Sequence, residues 1–83
     1  MKIEDTYRKI KIVIRFHAAD GGTVAVQRPN GNVLMTDFAV VTSEHGYMTV
    51  TFDGNPEFIR QVPKTVVHLA KHHILDRWAI SRK

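Results

Sequence analysis

The chain reads as an α+β domain: a four- or five-stranded antiparallel β-meander with one C-terminal helix. Three observations predict this fold. β-branched residues alternate with polar ones in several short runs, turn dipeptides separate those runs, and a helical apolar stripe follows Pro63. Curling of the same strands into a small open barrel is the alternative arrangement.

The run from Lys9 to His17 puts Ile10, Ile12, Ile14 and Phe16 on one side and Lys9, Lys11, Arg15 and His17 on the other. Ile3, Tyr7, Ile10, Ile14 and His17 also fit a helical stripe, but the crowding of isoleucine and valine favours a strand. Asp20-Gly21-Gly22 is a turn, and residues 23–28 form a second strand with Val24 and Val26 on one side. Pro29-Asn30-Gly31-Asn32 is the strongest local signal, because Asn-Gly accepts the positive φ values of a tight hairpin.

A third strand over 33–41 is apolar on both faces apart from Thr36 and Asp37, a pattern that suits a central strand or one that meets a partner chain. After a turn at 43–46, a fourth strand over 47–52 directs Met48, Val50 and Phe52 inward and Tyr47, Thr49 and Thr51 outward. Residues 57–62 allow two readings: a short helix capped by Asn55 with Pro56 at its first position, or a fifth strand. The preceding Asp53-Gly54 favours the strand. From Lys64 to about Asp76, Val66, Val67, Ala70 and Ile74 share a helical face that Trp78 extends. Arg77 falls near the middle of that face and predicts fraying there, while Leu75 falls on the outer side as a contact for another protein.

Eighty-three residues allow one domain, spanning residues 1–83, and the 43% hydrophobic and 24% charged content is that of a globular chain. The absence of cysteine, of an apolar leader at Met1 and of a long apolar run predicts a soluble cytoplasmic protein without disulfides or a membrane partner. The net charge of +4 is segregated: residues 1–17 carry +3, residues 18–57 carry −4 and residues 58–83 carry +5. Two basic ends therefore bracket an acidic middle, a distribution that marks polyanion-binding faces and also occurs on ordinary solvated surfaces.

No motif of catalysis stands out. His68, His72 and Asp76 form a row one helical turn apart, the spacing at which imidazoles share a metal. Leu69 stands where a metalloprotease helix carries its glutamate, and no third ligand has a fixed spacing, so neither metal nor other cofactor is expected. His17 and His45 lie near turns with no acid or second base placed beside them, and Ser43 and Ser81 lack the context of an activated nucleophile.

The stronger constellation is the polar side of the 9–17 segment, where Lys9, Lys11 and Arg15 follow a line roughly 20 Å long at about 3.3 Å per residue. With Thr23, Gln27, Tyr47, Thr49 and Thr51 on the same face, these cations suit a nucleic-acid backbone, and Tyr47 suits a stacked base. Lys64 and Lys71 on the helix, with Arg82 and Lys83 in the tail, supply a second basic surface. Lysines on an edge strand also deter aggregation without binding anything. The sequence thus predicts a non-enzymatic nucleic-acid-binding module. A regulator or inhibitor that docks on a larger protein is the alternative, a homodimer through the third strand is compatible with either, and a small nuclease or metal-dependent enzyme ranks third.

Overall fold

The computed structural model describes residues 1–81; the Arg82-Lys83 tail of the sequence reading lies outside the described residues. Five strands, β1 (Lys2–Tyr7), β2 (Ile10–Ala18), β3 (Gly21–Gln27), β4 (Val33–Thr42) and β5 (Met48–Asp53), form one sheet in chain order. Every neighbouring pair is antiparallel, and the sheet is open rather than closed into a barrel. Two helices follow, α1 (Pro56–Gln61) and α2 (Lys64–Ser81).

The alternation in each strand sorts the side chains into two layers. Ile12, Ile14, Val24, Val26, Val40 and Val50 point to one face and are buried beneath Phe58, Val62, Val66, Ala70 and Ile74 of the helical segment. Thr36 enters this layer too, and its hydroxyl donates to the Asp53 carbonyl oxygen at 2.7 Å, so the one polar side chain buried there is satisfied. Phe16 and Phe38 meet edge to face with ring centroids 5.2 Å apart, on either side of Gly22 in the register. A Cβ at Gly22 would overlap the Arg15 carbonyl oxygen beside the irregularity between Phe16 and Ala18, so glycine is needed there for space.

The fifth strand is not where the residue pattern placed it. Residues 57–62 are helical, with Asn55 as cap: its side-chain oxygen accepts the Glu57 N–H at 3.1 Å while its amide donates to the Met35 carbonyl oxygen at 2.9 Å. Six residues make a marginal helix by themselves. Burial of Phe58 and the Asn55 bridge to β4 hold this one against the sheet.

The remaining strand is β1, which the sequence reading left outside the sheet. Its inward row is Ile3, Asp5 and Tyr7, so an acid interrupts the apolar alternation. It joins β2 through a two-residue turn at Arg8 and Lys9, both left-handed with φ of 48° and 69°, a conformation that Asn-Gly normally supplies. Lys9 is therefore a turn residue and not part of the strand.

The long helix also runs further than expected. Instead of fraying at Arg77, α2 continues to Ser81, because Arg77 Nε donates to Met1 Sδ and Trp78 Nε1 donates to Asp20 Oδ1 at 2.7 Å. Leu75 packs partly buried against the core rather than standing on an outer surface.

The facing of β2 and the tight approach at Gly22 have measurable consequences. Ile12→Asp should cost several kcal/mol by placing a carboxylate in the core, and Gly22→Ala should cost at least ~2 kcal/mol, whereas Lys11→Asp should stay within about 0.5 kcal/mol. Urea denaturation of the three variants tests this, and comparable losses at Ile12 and Lys11 would contradict the facing.

Candidate functional site

The side of the sheet opposite the helices is solvent-exposed, and cross-strand register orders it into rows. Thr6, Lys11, Gln27 and Val33 form the row nearest the Arg8-Lys9 turn; Glu4, Val13, Ala25 and Met35 form the next. Lys2, Arg15, Thr23, Asp37 and Asp53 form the third. Ala39 with Thr51 and then Val41 with Thr49 continue toward the far end.

Lys11 and Arg15 do share this face with Thr23, Gln27, Thr49 and Thr51, as the alternation implied. Lys2 joins them and is paired with Glu4 at 2.9 Å. The hydrogen bond from Lys2 and then its charge, with lesser help from Lys11 and Arg15, hold the Glu4 carboxyl below its ordinary range. That ordering places one acid among three cations.

The rest of the expected basic surface does not come together. Tyr47 lies in the β4–β5 turn, 72% exposed, at the end of the sheet opposite Lys9 and Lys11. The nine steps from Val33 to Thr42 along β4 separate the two ends by roughly 30 Å at the rise of an extended strand. Lys64 and Lys71 belong to α2 on the other layer, where the Lys71 ammonium lies 5.8 Å from the centre of the Phe52 ring. No single face therefore unites Lys9, Lys11, Arg15, Tyr47, Lys64 and Lys71. The acidic middle also reaches the basic face, since Asp37 and Asp53 complete the row that Arg15 occupies.

What the structure adds is Arg8. The β1–β2 turn projects Arg8 and Lys9 together, both exposed, one residue from Lys11 on the open face. Among the described residues none of these three forms an ion pair within 4 Å; Arg8 only stacks its guanidinium 5.5 Å from the Tyr7 ring centre. Arg28, at the start of the β3–β4 turn, lies at the same end of the sheet. No glycine or asparagine marks the 8–9 turn in sequence, so the grouping was not legible from composition.

The histidines are dispersed. His72 pairs with Asp76 at 3.3 Å on the outside of α2, and His68 is exposed one turn earlier. Among the described residues no three His, Asp or Glu side chains are grouped to hold a metal ion. His17 contacts the Thr23 hydroxyl at 3.0 Å, and His45 lies 3.6 Å from Glu44 on an exposed turn. His73 joins a helix to the sheet: its Nε2 lies 2.8 Å from Asp5 Oδ2 and links α2 to the edge strand. Ser43 Oγ accepts the Tyr47 N–H and Ser81 Oγ donates to the Trp78 carbonyl oxygen, local roles at a turn and a helix end. No pocket forms among the described residues, and no helix among them is long and apolar enough to cross a membrane.

No family model, curated protein or solved structure matches this chain.

Two outcomes follow from the histidine geometry. Zinc should change the melting temperature little, because His68, His72 and Asp76 offer an open outer face without further ligands. A large zinc-dependent rise abolished by His72→Ala would restore a metal site. For Asp5, the hydrogen bond from His73, then the Thr6 N–H, lowers the carboxyl below its ordinary value. A depressed carboxyl stabilises the fold above the unfolded value near pH 4 and loses that contribution as pH falls through the folded value. The urea midpoint should therefore drop as pH falls below about 4 more steeply in the wild type than in Asp5→Asn. Parallel profiles would show that the His73–Asp5 contact contributes nothing in solution.

Proposed function

We propose that this protein is a non-enzymatic binding domain that grips a nucleic-acid phosphate backbone with the basic end of its sheet. The observation that carries the reading is the Arg8-Lys9 turn: two cations occupy left-handed backbone conformations. Such conformations cost side-chain-bearing residues about 1–2 kcal/mol each, and strain of this kind collects at functional sites. Beyond the stacking of Arg8 on Tyr7, arginine and lysine give nothing back to the turn that Asn-Gly would not give more cheaply, whereas they do present charge at a projecting tip. Lys11 extends the cationic surface onto the sheet, while Arg28 at the same end is half-buried with its Nε enclosed. Arg15 contributes less to an anion site, since Asp37 and Asp53 share its row. The aromatic at this end, Tyr7, is half-buried in the inward row beneath Arg8, so recognition by phosphate charge rather than by base identity is the expected mode.

Docking on a larger protein is the second reading, favoured by the exposed Val33, Met35 and Val41 along β4. The two readings meet only in the row that Val33 shares with Lys11.

Contact of three phosphates by Arg8, Lys9 and Lys11 predicts a salt slope near −2.7, a loss of roughly 40-fold in affinity for duplex DNA between 50 and 200 mM salt. Arg8→Asn with Lys9→Gly should flatten that slope by about 2 while raising stability by about 1 kcal/mol, because the turn loses both its cations and its strain. Glu44→Ala, at the far end of the sheet, should leave affinity unchanged. Mobility-shift titrations with duplex DNA and single-stranded RNA at several salt concentrations, run beside urea melts, measure both effects. Absence of binding at 50 mM salt, or binding indifferent to the turn substitution, would overturn the nucleic-acid reading.

A further inference from the structure

The open face of the sheet has a layout that matches itself. Its centre is apolar: Val13, Ala25 and Met35 run across β2, β3 and β4, and Val33 and Val41 extend the strip along β4. Val33 and Met35 are each 57% exposed, far more than isolated apolar residues on a charged surface would require. In the next row along the strands, Lys2 and Arg15 stand on the β1–β2 side and Asp37 and Asp53 on the β4–β5 side, with Asp37 between Met35 and Val41 on β4.

We infer that this face binds a second copy of the chain, sheet against sheet, about a two-fold axis running parallel to the strands between β3 and β4. Such an axis preserves position along the strands and reverses the strand order. β2 of one copy then lies over β5 of the other, and β3 lies over β4. Because Arg15 and Asp53 occupy the same row, the rotation sets Arg15 of each copy opposite Asp53 of the other. In the neighbouring row it sets Met35 opposite Ala25, large against small. An axis in the interface perpendicular to the strands would instead lay β2 on β2 and set its cations Lys11 and Arg15 against one another or themselves, so the charges select the first arrangement.

Aligned sheet packing of this type keeps strand directions within about 30° of each other. Four strands at about 4.8 Å and six residues at about 3.3 Å give a footprint near 400 Å² in projection. The accessible surface of two corrugated faces exceeds their projection, so the pair removes on the order of 1,000 Å², near the lower bound for specific association. A weak dimer is expected. β1 overhangs β5 of the opposite copy in this arrangement, leaving the Arg8-Lys9 turns outside the interface, while Lys11 on β2 falls at its edge in the row of Val33; the dimer does not rest on the nucleic-acid reading.

Sedimentation equilibrium of the full chain from about 5 to 500 μM tests the proposal, a range chosen for a small and therefore weak interface. A monomer–dimer equilibrium is expected, with Met35→Lys weakening it at least tenfold. Arg15→Asp and Asp53→Arg should each weaken it about tenfold, and the two together should return it to within about threefold of wild type. Restoration by the double reversal excludes misfolding as the cause of the single losses, and thermal melts check the Met35 variant separately. A monomer at every concentration would assign the apolar strip to a different protein and overturn the inference. So would a dimer indifferent to Met35→Lys, or single losses that the double reversal fails to restore.

Discussion

A sheet has two faces, and the helices of this chain cover one. Burial of the isoleucine–valine face of β2 and β3 beneath Val66, Ala70 and Ile74 is the interaction on which the rest depends. Apolar area removed from water stabilises at about 25 cal/mol per Å², and a domain this small has few other sources of stability in the absence of disulfides. Once that face is committed to the helices, alternation sends every other side chain of the same strands to the opposite side. Met35 is exposed and Val13 and Ala25 half-buried on the open face because Ile12, Val24, Val26 and Thr36 fill the other.

The helix must also be held at a defined angle over the sheet, and its own sequence does little to fix that. Its apolar residues spread around the cylinder, with Leu69 and Leu75 partly buried beside the central Val66–Ala70–Ile74 line. Orientation comes from polar contacts with distant chain segments. His73 reaches Asp5 across 68 positions and Trp78 reaches Asp20 across 58, so the last turns of α2 are tied to the edge strand and to the β2–β3 turn. The first of these explains an otherwise awkward feature, an acid in the inward row of β1. Asp5 is tolerated because an imidazole and the Thr6 N–H satisfy it.

Strain and charge coincide at one place. Most turns of the meander are built from the expected residues: Gly31, Gly46 and Gly54 all adopt positive φ. The Arg8-Lys9 turn departs from that pattern, and it lies at the end of the sheet where Lys11 and Arg28 also sit. Local conformational preference and the folded backbone disagree there, and such disagreement within an otherwise consistent sequence points toward a functional constraint. Separation of this end from the apolar strip gives one small domain two surfaces of different chemistry.

Periodicity alone determined much of the fold. The inward rows of β2 and β5, the doubly apolar β4, the Asn30-Gly31 hairpin and the existence of a helix after Pro63 all follow from spacing two, spacing 3.6 and turn chemistry. The placement of Lys11 and Arg15 on the open face follows from the same alternation. Tertiary structure decided the rest. β1 exists because edge pairing and the His73–Asp5 contact outweigh a weak pattern and an unmarked turn, and residues 56–61 are helical because Phe58 has a core to enter and Asn55 a carbonyl to reach on β4. The grouping of charges was likewise invisible in one dimension. Sequence proximity joins Tyr47 to the sheet but not to the basic end, whereas antiparallel register brings Asp53 into the row of Arg15 from 38 positions away. Alternation is a property of neighbouring residues and can be read along the chain, but register is fixed by contacts between segments that only the folded sheet brings together.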